Sequence, residues 1–130
     1  MLVRVIGARM LPLSKTSGKA KTKRPYVVAR LLGLDCDARE YRGNASPHTN
    51  IISPDWTDNS AFSFEMAMSE MALLLIKVET SSKTTAAYCC FPVNCLREGY
   101  RIAKLRNAED GAAVNGSEIL LHVTFITAPS

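Results

Sequence analysis

No aspartate or glutamate occurs before Asp35, although eight lysines and arginines do: Arg4, Arg9, Lys15, Lys19, Lys21, Lys23, Arg24 and Arg30. The formal net charge of +4 therefore conceals a basic opening segment and a remainder in which acids outnumber bases. A localised positive field of this kind favours phosphate-bearing partners, lipid headgroups or nucleic acid, and says nothing about fold. Long apolar runs are also missing. The longest uncharged aliphatic stretch, residues 71–76, is far short of the ~20 residues a spanning helix needs. The opening Met-Leu-Val-Arg-Val-Ile is not backed by an extended apolar core and a small-residue cleavage site. No secretory leader is expected, and a cytosolic setting is the default.

Reactive side chains are sparse. The two histidines, His48 and His122, stand isolated, no serine or cysteine sits in a nucleophile motif, and no His/Cys/Asp/Glu cluster has metal-ligand spacing. Catalysis by this chain is not expected, and His122, alternating with Leu121 and Val123, reads as a surface or edge residue. The four cysteines, Cys36, Cys89, Cys90 and Cys95, lack both paired zinc spacing and the density of a disulfide scaffold. They read as buried free thiols. Cys89 and Cys90, if on a strand, point to opposite faces, which works against pairing or joint ligation.

Helical periodicity is absent as well, since no stretch keeps an apolar period near 3.6 for three turns. Short β-like runs take its place: residues 2–6, 26–32, 39–42, 61–65, 73–79, 88–93, 101–105 and 118–127. Eight such runs predict an all-β domain over residues 1–130, an antiparallel β-sandwich of two four-stranded sheets. Period-two alternation puts Val3, Val5, Val27, Ala29 and Leu31 in the core, with Phe62, Phe64, Leu74, Ile76, Val78, Leu121, Val123 and Phe125. Arg4, Arg30, Lys77 and Thr124 face outward. Gly7 and Gly33 close the first two strands, with a loop of about nineteen residues between them. Residues 92–99 form a helical turn closed by Gly99. Residues 107–116, with Asp110-Gly111 and Asn115-Gly116, read as a turn-rich connection.

Several landmarks resemble one family. Arg24-Pro25-Tyr26-Val27 is similar to the Asp-Pro-Tyr-Val that opens the second strand of many C2 domains. Ser53-Pro54-Asp55-Trp56-Thr57-Asp58, followed by Phe62-Ser63-Phe64, resembles that family's Asn-Pro-x-Trp-Asn-Glu and Phe-x-Phe. Glu70-Met71-Ala72-Leu73-Leu74 resembles its Pro-Glu-Leu-Ala and following strand. The segment from Pro92 through Leu96 to Gly99-Tyr100-Arg101 is similar to the Pro-x-x-x-Leu-x-x-Gly-Tyr-Arg of the C2 domains that end phosphoinositide-specific phospholipases C. The resemblance implies a C2 sandwich from a phospholipase C-like parent whose catalytic barrel lies upstream. Physical chemistry gives Pro25, Pro54 and Trp56 structural roles: proline fixes φ at a strand entry, and a lone tryptophan anchors a loop.

The departures carry the functional expectation. In the family, loops at one end of the sandwich hold calcium with aspartates, because the ion takes six to eight oxygens. Here Arg24 stands at the first ligand position, and Thr80 and Ser82 at the two Asp of Val-x-Asp-x-Asp. Thr84 stands near a further ligand position. Glu79, the one nearby carboxylate, points along its strand. No calcium and no other cofactor is expected.

Lys15, Lys19, Lys21, Lys23 and Arg24 instead form a basic loop suited to anionic phospholipids, phosphoinositides included. Leu11 and Leu13 flank it, either as interfacial anchors or, for Leu11, as core. Arg39 and Arg42, with His48 beyond them, form a secondary basic face. The expected function is calcium-independent peripheral membrane binding by a cytoplasmic monomer. The alternative is a protein-interaction or structural domain without lipid binding, and nucleic acid is a third, weaker class.

Overall fold

The computed structural model describes residues 1–11, 25–33, 38–43, 54, 56, 61–65, 69–81, 84–108 and 110–125. Eight strands run in chain order as β1 (Leu2–Arg9), β2 (Tyr26–Leu32), β3 (Arg39–Arg42), β4 (Ala61–Ser63), β5 (Leu73–Ser81), β6 (Thr84–Pro92), β7 (Gly99–Asn107) and β8 (Ala113–Thr124). Single 3₁₀ turns at Ser69–Met71 and Val93–Cys95 precede β5 and β7.

The strands hydrogen-bond in the order β3-β2-β5-β6-β7-β8-β1-β4. The pairings are antiparallel. One junction is thin: β6 and β7 are joined only through Ala87–Asn107 and Tyr88–Arg106. The order folds over at this seam into two four-stranded sheets, β3-β2-β5-β6 and β7-β8-β1-β4. Closure is visible at the far ends of the order. Tyr41 on β3 meets Phe62 of β4 with ring centroids 6.5 Å apart, and packs edge-to-face on Phe64 at 5.2 Å. The molecule is the antiparallel β-sandwich its alternation predicts.

The core lies between the sheets. Val3, Val5, Val27, Ala29, Leu31, Leu74, Ile76, Val78, Leu121 and Val123 are all fully buried, and Phe62 and Phe64 nearly so. Burying each of these valine, leucine, isoleucine or phenylalanine side chains stabilises the fold by about 1.5–3 kcal/mol before chain entropy is set against it.

Several sequence expectations need correction. Phe125 is 40% exposed rather than core, because β8 ends at Thr124 and the Phe125 amide leaves the ladder to bond the Glu98 carboxylate at 2.8 Å. Gly7 does not end β1. It sits at a register shift through which the strand continues to Arg9, as glycines at bulges do. Asn115-Gly116 is not a turn either: it lies inside β8, with Gly116 at φ +78°.

Leu11 is core, 5% exposed. Of the cysteines, Cys89 is buried, but Cys90 and Cys95 are exposed. The predicted opposition of Cys89 and Cys90 across β6 holds. Burial, helped by the neighbouring Cys90, pushes the Cys89 thiol up to about 12. Cys36 lies outside the described residues.

Candidate functional site

The landmarks Pro25, Pro54 and Trp56 do the structural work expected of them. Trp56, 1% exposed, donates its indole Nε1–H to the Pro25 carbonyl at 3.0 Å. Its own amide bonds the Ile6 carbonyl at 2.8 Å, and the Ala8 amide bonds the Pro54 carbonyl at 3.0 Å. This aromatic therefore ties the entry of β2 to β1. The basic segment 12–24 connects these two strands in sequence. Met10, at φ +55°, turns the chain out of β1 just before that segment.

Lys15, Lys19, Lys21, Lys23 and Arg24 lie outside the described residues, as do Leu13, His48 and Ser82. Their flanks are fixed: Leu11 and Pro25 are both buried. Thr80 is within β5 and Thr84 opens β6. The β2 entry and the β5 end coincide, because Tyr26 pairs in register with Glu79.

Glu79 is 5% exposed, and its carboxylate accepts the Tyr26 hydroxyl at 2.6 Å. A buried carboxylate needs such a charge-assisted donor to offset lost hydration. Arg42 lies over the Tyr26 ring, 5.4 Å from its centroid, within cation–π range. The three side chains bring β2, β3 and β5 together at one corner.

Arg39 and Arg42 do not share a face. Arg39 pairs with Leu31, which faces the core, whereas Arg42 pairs with Val28, three residues away and on the outward side. Residues three apart on a strand point to opposite sides, so alternation divides the expected basic face. Arg39, at the sheet edge, donates to the Ala38 carbonyl at 2.7 Å.

The outer face gains other cations in exchange. Val28 pairs with Arg42 on one side and Lys77 on the other, two charges bracketing one row roughly 10 Å apart by strand spacing. Arg30 follows along β2, with Glu40 opposite it. The outward direction of Arg30 and Lys77 was legible from alternation. That β2 lies between β3 and β5 was not, and adjacency is what assembles the row.

On the outer face of the second sheet, His122 sits between Arg4 of β1 and Tyr100 of β7. It packs edge-to-face on the Tyr100 ring at 4.7 Å. It is a surface residue of a central strand rather than an edge one. No described helix is long and apolar enough to cross a membrane.

Comparison with known proteins follows the same lines. No family model matches the chain. It is 32% identical over 110 residues to a 1-phosphatidylinositol 4,5-bisphosphate phosphodiesterase of Dictyostelium discoideum, an alignment covering 82% of the chain and 13% of that protein. To the human beta-2 phosphodiesterase of the same name it is 32% identical over 100 residues, 74% of the chain and 8% of that protein. The chain thus spans only about a tenth of the length of these curated relatives.

Among solved structures, S. officinalis PLC21 superposes with a TM-score of 0.75 at 17% identity, over 99% of the chain and 16% of that protein. A single C2 domain of plant Extended Synaptotagmin 1 superposes with a TM-score of 0.61 at 18% identity, over 95% of both.

Proposed function

Given that the chain is a phospholipase C-like C2 domain, we propose that it binds anionic phospholipid surfaces peripherally and without calcium, as the targeting module of a phosphoinositide phosphodiesterase. The carrying observation is the charge asymmetry: eight bases and no acid before Asp35. Five of those bases fall in the ten positions 15–24, between the buried anchors Leu11 and Pro25. Near an anionic leaflet each such charge contributes about 1 kcal/mol, so five supply several kcal/mol of salt-sensitive attraction with no metal.

Calcium independence draws on the ligand positions. Arg24, Thr80, Ser82 and Thr84 offer no carboxylate where a calcium shell needs several. The carboxylate that remains nearby, Glu79, is engaged by Tyr26. The outer row of Arg42 and Lys77, with Arg30, gives a second cationic surface for a headgroup. Catalysis belongs to a separate part of the parent, and the domain's setting is the cytoplasmic side of a membrane.

Sedimentation with phosphatidylserine vesicles tests the assignment of the surface. Replacing Lys19, Lys21, Lys23 and Arg24 by alanine removes most of the binding, while Arg42→Ala with Lys77→Ala removes less. Binding that survives the loop variant and is abolished by the Arg42/Lys77 pair moves the site to the outer face. A variant pair with no effect between them leaves the protein-interaction reading in place.

A further inference from the structure

The thin seam between β6 and β7 has a consequence for ligand binding. Beyond Ala87–Asn107 and Tyr88–Arg106 the two strands are unpaired, and a cavity of about 250 Å³ occupies the gap. Its deep side is apolar: Ala103 and Leu121 belong to the buried core, and the half-buried Phe91 and Leu96 pack against that core. At its exposed rim stand Arg97, Arg101 and the Cys95 thiol.

Arg101 is oriented by the main chain, donating through Nε to the Arg97 carbonyl at 3.1 Å and through Nη2 to the Glu98 carbonyl at 2.7 Å. Its Nη1 is left available among the described residues. No acid is among the described lining residues, and Glu98, next to Arg97 in the chain, accepts the Phe125 amide on its carboxylate. An apolar interior with Arg97 and Arg101 at its rim is complementary to a molecule with a hydrocarbon tail and an anionic head. Arginine matches carboxylate or phosphate oxygens in a fork. The volume falls below the 300–1,000 Å³ or so typical of sites for drug-sized ligands, so it encloses only part of a long tail.

We propose that the gap between β6 and β7 is a binding site for a single hydrocarbon tail bearing an anionic head group, with Arg97 and Arg101 holding the head. The tail comes either from a free single-chain amphiphile or from a phospholipid in a bilayer. The site is independent of the basic loop, so loop variants leave it intact.

Cys95 and Cys90 provide the test. Cys95 lines the cavity, whereas Cys90 is exposed on the outer face of β6. Maleimide labelling of both thiols is followed by peptide mass spectrometry, with monomeric laurate, uncharged dodecanol or phosphatidylserine vesicles present. Laurate at ten times its half-protecting concentration slows Cys95 labelling about tenfold by mass action and leaves Cys90 unchanged. Dodecanol protects far less.

Arg97→Gln with Arg101→Gln raises the half-protecting concentration about tenfold or more, the effect of losing charged hydrogen bonds. Ala103→Leu fills the cavity and removes protection, while the arginine pair, at exposed positions, serves if that variant fails to fold. Protection by vesicles but not laurate, lost in the filled or arginine variants, assigns the tail to a bilayer lipid. The proposal is overturned if Cys95 labelling is indifferent to both laurate and vesicles, if Cys90 is slowed equally, or if dodecanol matches laurate.

Discussion

The indole of Trp56 donates to the carbonyl of Pro25 at 3.0 Å, inside the protein, and so fixes the chain at the entry of β2. Trp56→Phe keeps most of the apolar area but leaves that carbonyl without its donor, at an expected cost of about 1–3 kcal/mol. Trp56→Ala, which also opens a cavity, costs about 3–5 kcal/mol. Urea unfolding measures both. Equal losses for the two variants would mean that the hydrogen bond matters and the packing does not.

Tyr26 and Glu79 form a second pair whose energetics can be separated. Tyr26→Phe leaves a buried carboxylate short of a donor and destabilises by about 1–3 kcal/mol. Combining it with Glu79→Leu replaces both partners by apolar groups and recovers much of that loss, since the penalty lies in the orphaned charge. A double variant as unstable as the sum of the two single ones would show that no coupling exists between them.

Cys89 gives a prediction in pH. Its thiol is pushed from 9.0 up to about 12, chiefly by burial, so in the folded protein it stays neutral where an unfolded chain ionises. The unfolded state therefore releases its proton first as pH rises. The stabilising contribution is intact below about pH 9 and is lost progressively between 9 and 12. In the native protein at pH 8.5, iodoacetamide modifies Cys90 and Cys95 and spares Cys89, which reacts only on unfolding. Modification of Cys89 at the rate of Cys90 would contradict its burial.

Much of the fold was legible because alternation is a local property. Tyr26–Leu32 and Arg39–Arg42 are strands with the bounds their residues indicate, and inward residues such as Val27, Ile76 and Leu121 are the buried ones. Glycine was the misleading signal. Gly7 and Gly116 look like strand ends, yet each lies within its strand, because a chain that must change register uses the residue with the fewest steric limits.

At the functional site the limit was adjacency. Nothing local says that Lys77 lies one strand from Val28 and two from Arg42, nor that Tyr26 meets Glu79. Those pairings join residues about fifty positions apart, and only the strand order brings them together. The three-residue spacing of Arg39 and Arg42, by contrast, already excluded a common face.

In this proposal the domain binds anionic membranes through charge rather than through a metal. It is tested most directly by titrating the domain with phosphatidylserine vesicles at low and high salt, each with calcium and with chelator. The expected result is the same affinity with and without calcium, and a steep loss of affinity at high salt as screening shortens the reach of the basic segment. Binding that appears only with calcium, or none at low salt, would contradict it.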